Sequence, residues 1–175
     1  MSNQFRFTSE PVSIVNVNFR LEKHGDDNVP ACDIRCEMRR ENVALDIIDP
    51  ALLDMLYVDD FPDHAKTTKA LAGMERKSHL RVPTLSKPIE LARELVNVAV
   101  DIPWGLKAVI HLHDAKVNKW QVEPQEGGTV TIRFRIQCEI DPKDASKLVG
   151  LWLGGDVELS MESAQKELEL EGEGA

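Results

Sequence analysis

The chain has 175 residues and a formal charge of −9 at pH 7, long enough for one sizeable core and too acidic to coat duplex DNA through a uniformly basic surface. It contains no run of about eighteen apolar residues, and its opening MSNQFRFTSEP has neither the basic start nor the apolar stretch of a signal peptide, so a soluble cytoplasmic protein without a membrane partner is expected. Cys32, Cys36 and Cys138 all fall on the apolar phase of expected strands, where free cysteine acts as a small hydrophobe, and no disulfide framework is implied.

After a polar lead, the alternation predicts a first strand from about Val12 to Lys23 with Val15, Val17, Phe19 and Leu21 inward. A turn at His24-Gly25-Asp26-Asp27-Asn28 follows, and the return strand places Cys32, Ile34, Cys36 and Met38 inward. A short third strand is expected over Val43 to Ile48. Asp49 and Pro50 then cap and open a helix that runs to Tyr57. Residues 59–87 form an irregular basic segment broken by Pro62, Gly73 and Pro83, with a weak helix expected over Ala65 to Arg76. Ile89 to Val100 suits a short helix running into a strand. Pro103-Trp104-Gly105 turns the chain into a strand from Leu106 to His113, and another covers Val117 to Glu123.

Gly127 to Ile140 is the most legible stretch, with Val130, Ile132, Phe134, Ile136, Cys138 and Ile140 apolar at every second position. That is a half-buried strand. Pro142 to Leu153 reads as a helix capped by Asp141, and Asp156 to Met161 as a last strand pointing Val157, Leu159 and Met161 inward. The expected fold is α+β: one β-rich domain, residues 1–162, of antiparallel hairpins with two or three short helices, ahead of a flexible acidic tail, residues 163–175. Ile34-Arg35-Cys36-Glu37 and Ile136-Gln137-Cys138-Glu139, each preceded by an aromatic-led strand and followed by Asp-Pro, suggest repeat-like units over 12–57 and 115–161. Superposing them should lay Cys36 over Cys138.

No constellation for catalysis stands out, and no cofactor is implied. His111 and His113, two apart and followed by Asp114, lack the further ligands that a metal site needs, and no metal is assigned. The candidate binding surface is basic. Arg133 and Arg135 share the outer face of the central strand with Arg35 and Arg39 on its echo, where they could follow a phosphate backbone or simply pair with Glu37 and Glu139. Arg76, Lys77 and Arg81 add charge from the 59–87 segment, and Trp104 is the candidate stacking residue, with Trp120 and Trp152 reading as core.

Four segments, HGDDNVPACDIRCEM, DPALLDMLY, KVNKWQVEPQEGGTVTIRFRIQ and KLVGLWLGGDVELSM, together resemble an uncharacterised family of bacteriophage and prophage proteins. The resemblance implies a phage origin and a role among early, DNA-handling or host-countering genes, in the cytoplasm of a bacterial host. It carries no catalytic residue across. The function expected is non-enzymatic: single-stranded nucleic-acid binding or a recombination accessory role. The alternatives are a host-defence antagonist that binds a host protein or a small signalling molecule, and a phage structural component. The sequence leaves open whether the chain forms a homo-oligomer or binds another phage protein.

Overall fold

The structure is a computed structural model that describes residues 5–60 and 77–163. Its main sheet contains β1 (Arg6–His24), β2 (Asp27–Glu41), β5 (Ile89–Leu91), β6 (Leu95–Trp104), β7 (Ala108–Pro124), β8 (Thr129–Glu139) and β9 (Asp156–Ser163). Every neighbouring pair is antiparallel, in the order β5-β7-β6-β9-β1-β2-β8, and β8 pairs again with β7. That last pairing closes six strands, β1-β2-β8-β7-β6-β9, into a ring, while short β5 extends the β6 edge of β7. The architecture is therefore a β-rich closed barrel with few, peripheral helices.

The core fills the barrel. Ile34, Cys36 and Met38 of β2 face inward with Ile132, Phe134 and Ile136 of β8, in a register that sets Ile34 opposite Ile136 and Cys32 opposite Cys138. Phe134 stacks on Trp120 at 4.9 Å between ring centroids and lies 6.4 Å from Phe7. The two resembling hairpins are thus laid side by side through β2 and β8, although the aromatics that open them differ in burial: Trp120 is fully enclosed and Phe19 exposed.

Strict alternation is interrupted wherever the sheet must bend. Register shifts occur near Ser9, Asn97, Asp114 and Lys119, the four non-glycine residues with positive φ among those described. Each is an inserted residue that tightens the local twist and lets a six-stranded sheet curl shut. A further shift falls between Ile14 and Asn16 on β1. It corrects the expected phase: Val15 is exposed and Ile14 buried instead, while Phe19 and Leu21 are also exposed. Phe19 keeps the phase of Cys32, its cross-strand partner, but this end of the hairpin lacks the cover that encloses Cys32.

Three local expectations are revised. Val43 to Ile48 is no strand but a 3₁₀ turn, Asn42–Ala44, running into helix α1, Leu45–Ile48, because Ala44, Leu45 and Ile48 are buried at helical rather than alternating spacing. Ile89 to Val100 contains two strands and no helix, since pairing with β7 supplies backbone partners that outweigh a weak helical pattern. The strands expected at Leu106 to His113 and Val117 to Glu123 are one strand, β7, bent at Asp114. The weak helix expected over Ala65 to Arg76 lies outside the described residues, as does the tail beyond Ser163.

Helix α2 (Leu52–Leu56) follows α1 and delivers Tyr57 into the core, where its hydroxyl donates to the carbonyls of Gln125 (2.9 Å) and Thr129 (3.1 Å). Short strands β3 (Tyr57–Val58) and β4 (His79–Leu80) pair beside it. Helix α3 (Pro142–Gly154), with the Asp141 carboxylate accepting from the Lys143 amide at 2.8 Å, carries the chain from β8 to β9. It buries Leu148 completely and packs on β1 and β9.

Candidate anion-binding groove

The barrel's outer face across β1, β2, β8 and β7 is organised into rows by the register. One row reads Asn16, Arg35, Arg135, Asn118. On one side of it lie Asn18, Asp33, Gln137 and Lys116, and on the other Ser13, Glu37, Arg133 and Gln121. Adjacent strands are about 4.8 Å apart, so residues in a row are within side-chain reach.

The row of Arg35 and Arg135 carries two guanidinium groups and no carboxylate. Arg135 donates to Asn118 Oδ1 and Gln137 Oε1, each at 3.1 Å, and stands 3.9 Å from Asp33. Asp33 is itself engaged by Arg20 and by Gln137 Nε2 at 3.1 Å. Arg35 is exposed and has no hydrogen-bond or ion-pair partner among the described residues. Like charges directly opposite one another destabilise a sheet. Here two stand opposite one another, and one of them, Arg35, is unpaired among the described residues.

Arg133 differs. It donates to Glu37 Oε2 at 2.6 Å and Glu123 Oε2 at 2.8 Å, and these two carboxylates, Glu123 foremost, hold its guanidinium further above its ordinary pKa. The expected pairing with Glu37 is present, whereas Glu139 turns away to His24, at 3.2 Å. Lys119 completes the site. It is exposed in the β7 bulge at φ 57° and without a partner among the described residues. Arg35, Arg133, Arg135 and Lys119, with Glu37, Gln121 and Val15, line a depression of about 370 Å³. A second depression of about 550 Å³ shares Lys119 and Gln121 and continues to Arg93 and Glu94. Lys119 is not singled out by the sequence, where Val117 to Glu123 is expected only as a strand. Its signal is that two residues rather than one, Asn118 and Lys119, separate apolar Val117 from Trp120, both buried.

The other expected binding residues lie elsewhere. Arg39 donates to Gln125 Oε1 at 3.1 Å, toward the β7–β8 turn. Lys77 pairs with Asp54 and Asp59, and Arg81 donates to the carbonyls of Asp54 (2.9 Å) and Tyr57 (3.3 Å). Both strap β4 onto α2. Trp104 is half-buried against the core, with its ring over Gly150 of α3. Arg76 is outside the described residues.

For metals, His111 bonds Asp101 at 2.7 Å and stacks on His113. Among the described residues one group of three, Glu22, His24 and Glu139, brings ligand atoms within 4.8 Å of one another, with His24 Nε2 3.2 Å from Glu139 and 3.9 Å from Glu22. Two of the three thiols are held in the neutral form: burial pushes Cys36 up to about 12, and the contact with Cys32, with Sγ atoms 3.7 Å apart, raises Cys138, while that same contact lowers Cys32. Among the described residues no helix is long and apolar enough to cross a membrane. No known protein family, curated protein or solved structure matches the chain.

Proposed function

We propose that the chain binds single-stranded nucleic acid along this groove, in the phage DNA-handling or recombination accessory role that the sequence resemblance implies. The observation that carries the reading is the cross-strand pair Arg35–Arg135, with Arg35 unpartnered among the described residues and Lys119 beside it. The positive strip is one row wide, with Asp33 bordering it on one side and Glu37 on the other. A single phosphate backbone fits such a strip, whereas the second backbone of a duplex would meet carboxylates. Trp120 is enclosed and Trp104 lies on α3, so contacts are to phosphate rather than by base stacking, and little sequence preference is expected.

The test is fluorescence anisotropy of a labelled oligothymidine titrated with protein at several salt concentrations. Replacing Arg35 and Arg135 together with alanine should reduce the slope of log affinity against log salt by about 1.4, from two lost phosphate contacts at about 0.7 each. Arg39→Ala should leave that slope unchanged. No salt-sensitive binding at low ionic strength, or an unaltered slope in the double variant, overturns the proposal. The reading then passes to a protein partner, which the exposure of Phe19 and Leu21 at the β1–β2 hairpin end would favour.

A further inference from the structure

Cys32 on β2 and Cys138 on β8 stand directly opposite one another in the sheet register, with Sγ atoms 3.7 Å apart. The ladder fixes how their backbones are set. The Ile140 amide donates to the Pro30 carbonyl at 3.0 Å, so antiparallel alternation makes every second pair from there a hydrogen-bonded one, Cys32–Cys138 included. Cα atoms in such pairs are about 5.5 Å apart, inside the range of about 4.4–6.8 Å that disulfides span. Both side chains are buried on the inner face of the barrel. Closing a bond asks the sulfurs to approach from 3.7 Å to about 2.05 Å, which side-chain rotation and a small inward shift of the two strands supply.

The third cysteine has no such neighbour. Cys36 lies four residues further along β2, about 13 Å away, and its cross-strand partner is Phe134. Within the pair, the hydrogen bond holds Cys32 below the ordinary thiol value and Cys138 above it. Cys138 is therefore the donor, and Cys32 is the sulfur that carries negative charge. The thiolate is the reactive form. Cys138 keeps 7% of its surface exposed against none for Cys32, so a solute about the size of water reaches the pair from the Cys138 side.

We propose that Cys32 and Cys138 are a redox pair that a hydroperoxide closes into a cross-strand disulfide, stapling β2 to β8. The Cys32 thiolate attacks one peroxide oxygen, the O–O bond breaks, and the other oxygen leaves as hydroxide, which takes up a proton to become water. Cys32 is then a sulfenic acid. The Cys138 sulfur attacks the Cys32 sulfur, the S–O bond breaks, and the departing hydroxide takes the Cys138 proton and leaves as a second water. The two thiols lose two electrons and the peroxide gains them. The bond joins positions 106 apart in the chain and pins the register three residues from the facing pair Arg35 and Arg135. This pair needs no ligand, so it stands whether or not the groove binds nucleic acid.

The experiment exposes the full chain to hydrogen peroxide, then quenches, unfolds and alkylates it with N-ethylmaleimide. The intact mass should show one maleimide instead of three and the loss of two hydrogens, and dithiothreitol should restore all three sites. Trypsin cuts after Arg35, so Cys32 and Cys36 fall in separate peptides, residues 24–35 and 36–39, with Cys138 in residues 136–143. The linked species should be 24–35 with 136–143. The oxidised chain should also melt about 4–16 °C higher than the reduced one, and Cys138→Ala should show neither the link nor the rise. Three alkylated thiols after a treatment that oxidises the same chain in urea overturn the proposal. So do sulfinic acids formed without a link, a link through Cys36, or a link between two chains. A disulfide that forms without raising the melting temperature overturns the stapling, because it then closes only in an opened chain. The peptide map of the unaltered chain decides the pairing even where Cys138→Ala folds poorly.

Discussion

Gly150→Ala in α3 sets two opposite effects of similar size against each other. Alanine in a helix interior is favoured over glycine by about 0.8–1.0 kcal/mol. A methyl group here, however, would stand 2.8 Å from Cη2 and 3.1 Å from Cζ3 of Trp104, inside van der Waals contact. Trp104 is a large, half-buried ring at the end of β6 and can yield only by tilting away from the helix, and overpacking of this kind costs about 1–3 kcal/mol. The net expectation is a loss of about 0–2 kcal/mol. Urea unfolding followed by circular dichroism, on the two single variants and the double variant, separates the terms. In a Trp104→Ala background the clash is gone and Gly150→Ala should stabilise by about 0.8–1.0 kcal/mol, giving a coupling of about 1–3 kcal/mol. Equal stabilisation in both backgrounds, within the roughly 0.3–0.5 kcal/mol expected of independent sites, would refute the packing of Trp104 on α3 and return it to the list of residues free to stack on a base.

Phe134→Ala should cost about 3–5 kcal/mol in the same unfolding assay, because the ring is 2% exposed and stacked on Trp120; a loss below about 1 kcal/mol would mean that the face assignment of β8 is reversed. Acid should release the strap before the barrel. The Lys77 ammonium holds Asp54, and the Leu80 amide with His79 holds Glu126, below the ordinary carboxylate range. Carboxylates with depressed folded pKa values contribute stability above their unfolded values and lose it as pH falls through the folded ones. Amide exchange at Leu80 and Arg81 should therefore accelerate below about pH 4 while Ile132 and Ile136 stay protected; simultaneous loss of protection at all four would refute this.

The β8 strand was legible because nothing interrupts its alternation between Val130 and Cys138, and α3 because Asp141 and Pro142 announce it. What stayed hidden was the curvature. Ser9, Asn97, Asp114 and Lys119 adopt positive φ only because closing the ring demands an extra residue at those points, a requirement set by strands far away in sequence. The groove suffered the same way. Arg35, Arg133 and Arg135 could be placed on matching faces from alternation alone, but that Arg35 stands opposite Arg135 depends on the β2–β8 register, and Lys119 joins them through a bulge. The strapping roles of Lys77 and Arg81 depend on carbonyls and carboxylates that only the folded chain assembles.

Closure of the ring also dictates when this protein can exist. The β1 strand meets β9 with Ser9 bonded to Ser160, 151 positions later, so the last strand of the barrel is among the last parts of this sequence to be synthesised. At about 5–20 residues per second, a ribosome needs about 8–30 s to cover that interval. During it β1, and β6 once it is made, lack the neighbour that β9 will provide, and an unpaired strand is a template for any other chain nearby. The finished barrel has sealed those edges. The hazard of misassembly is confined to the time of translation, and a slowed ribosome or a stop codon before Asp156 would prolong it or make it permanent.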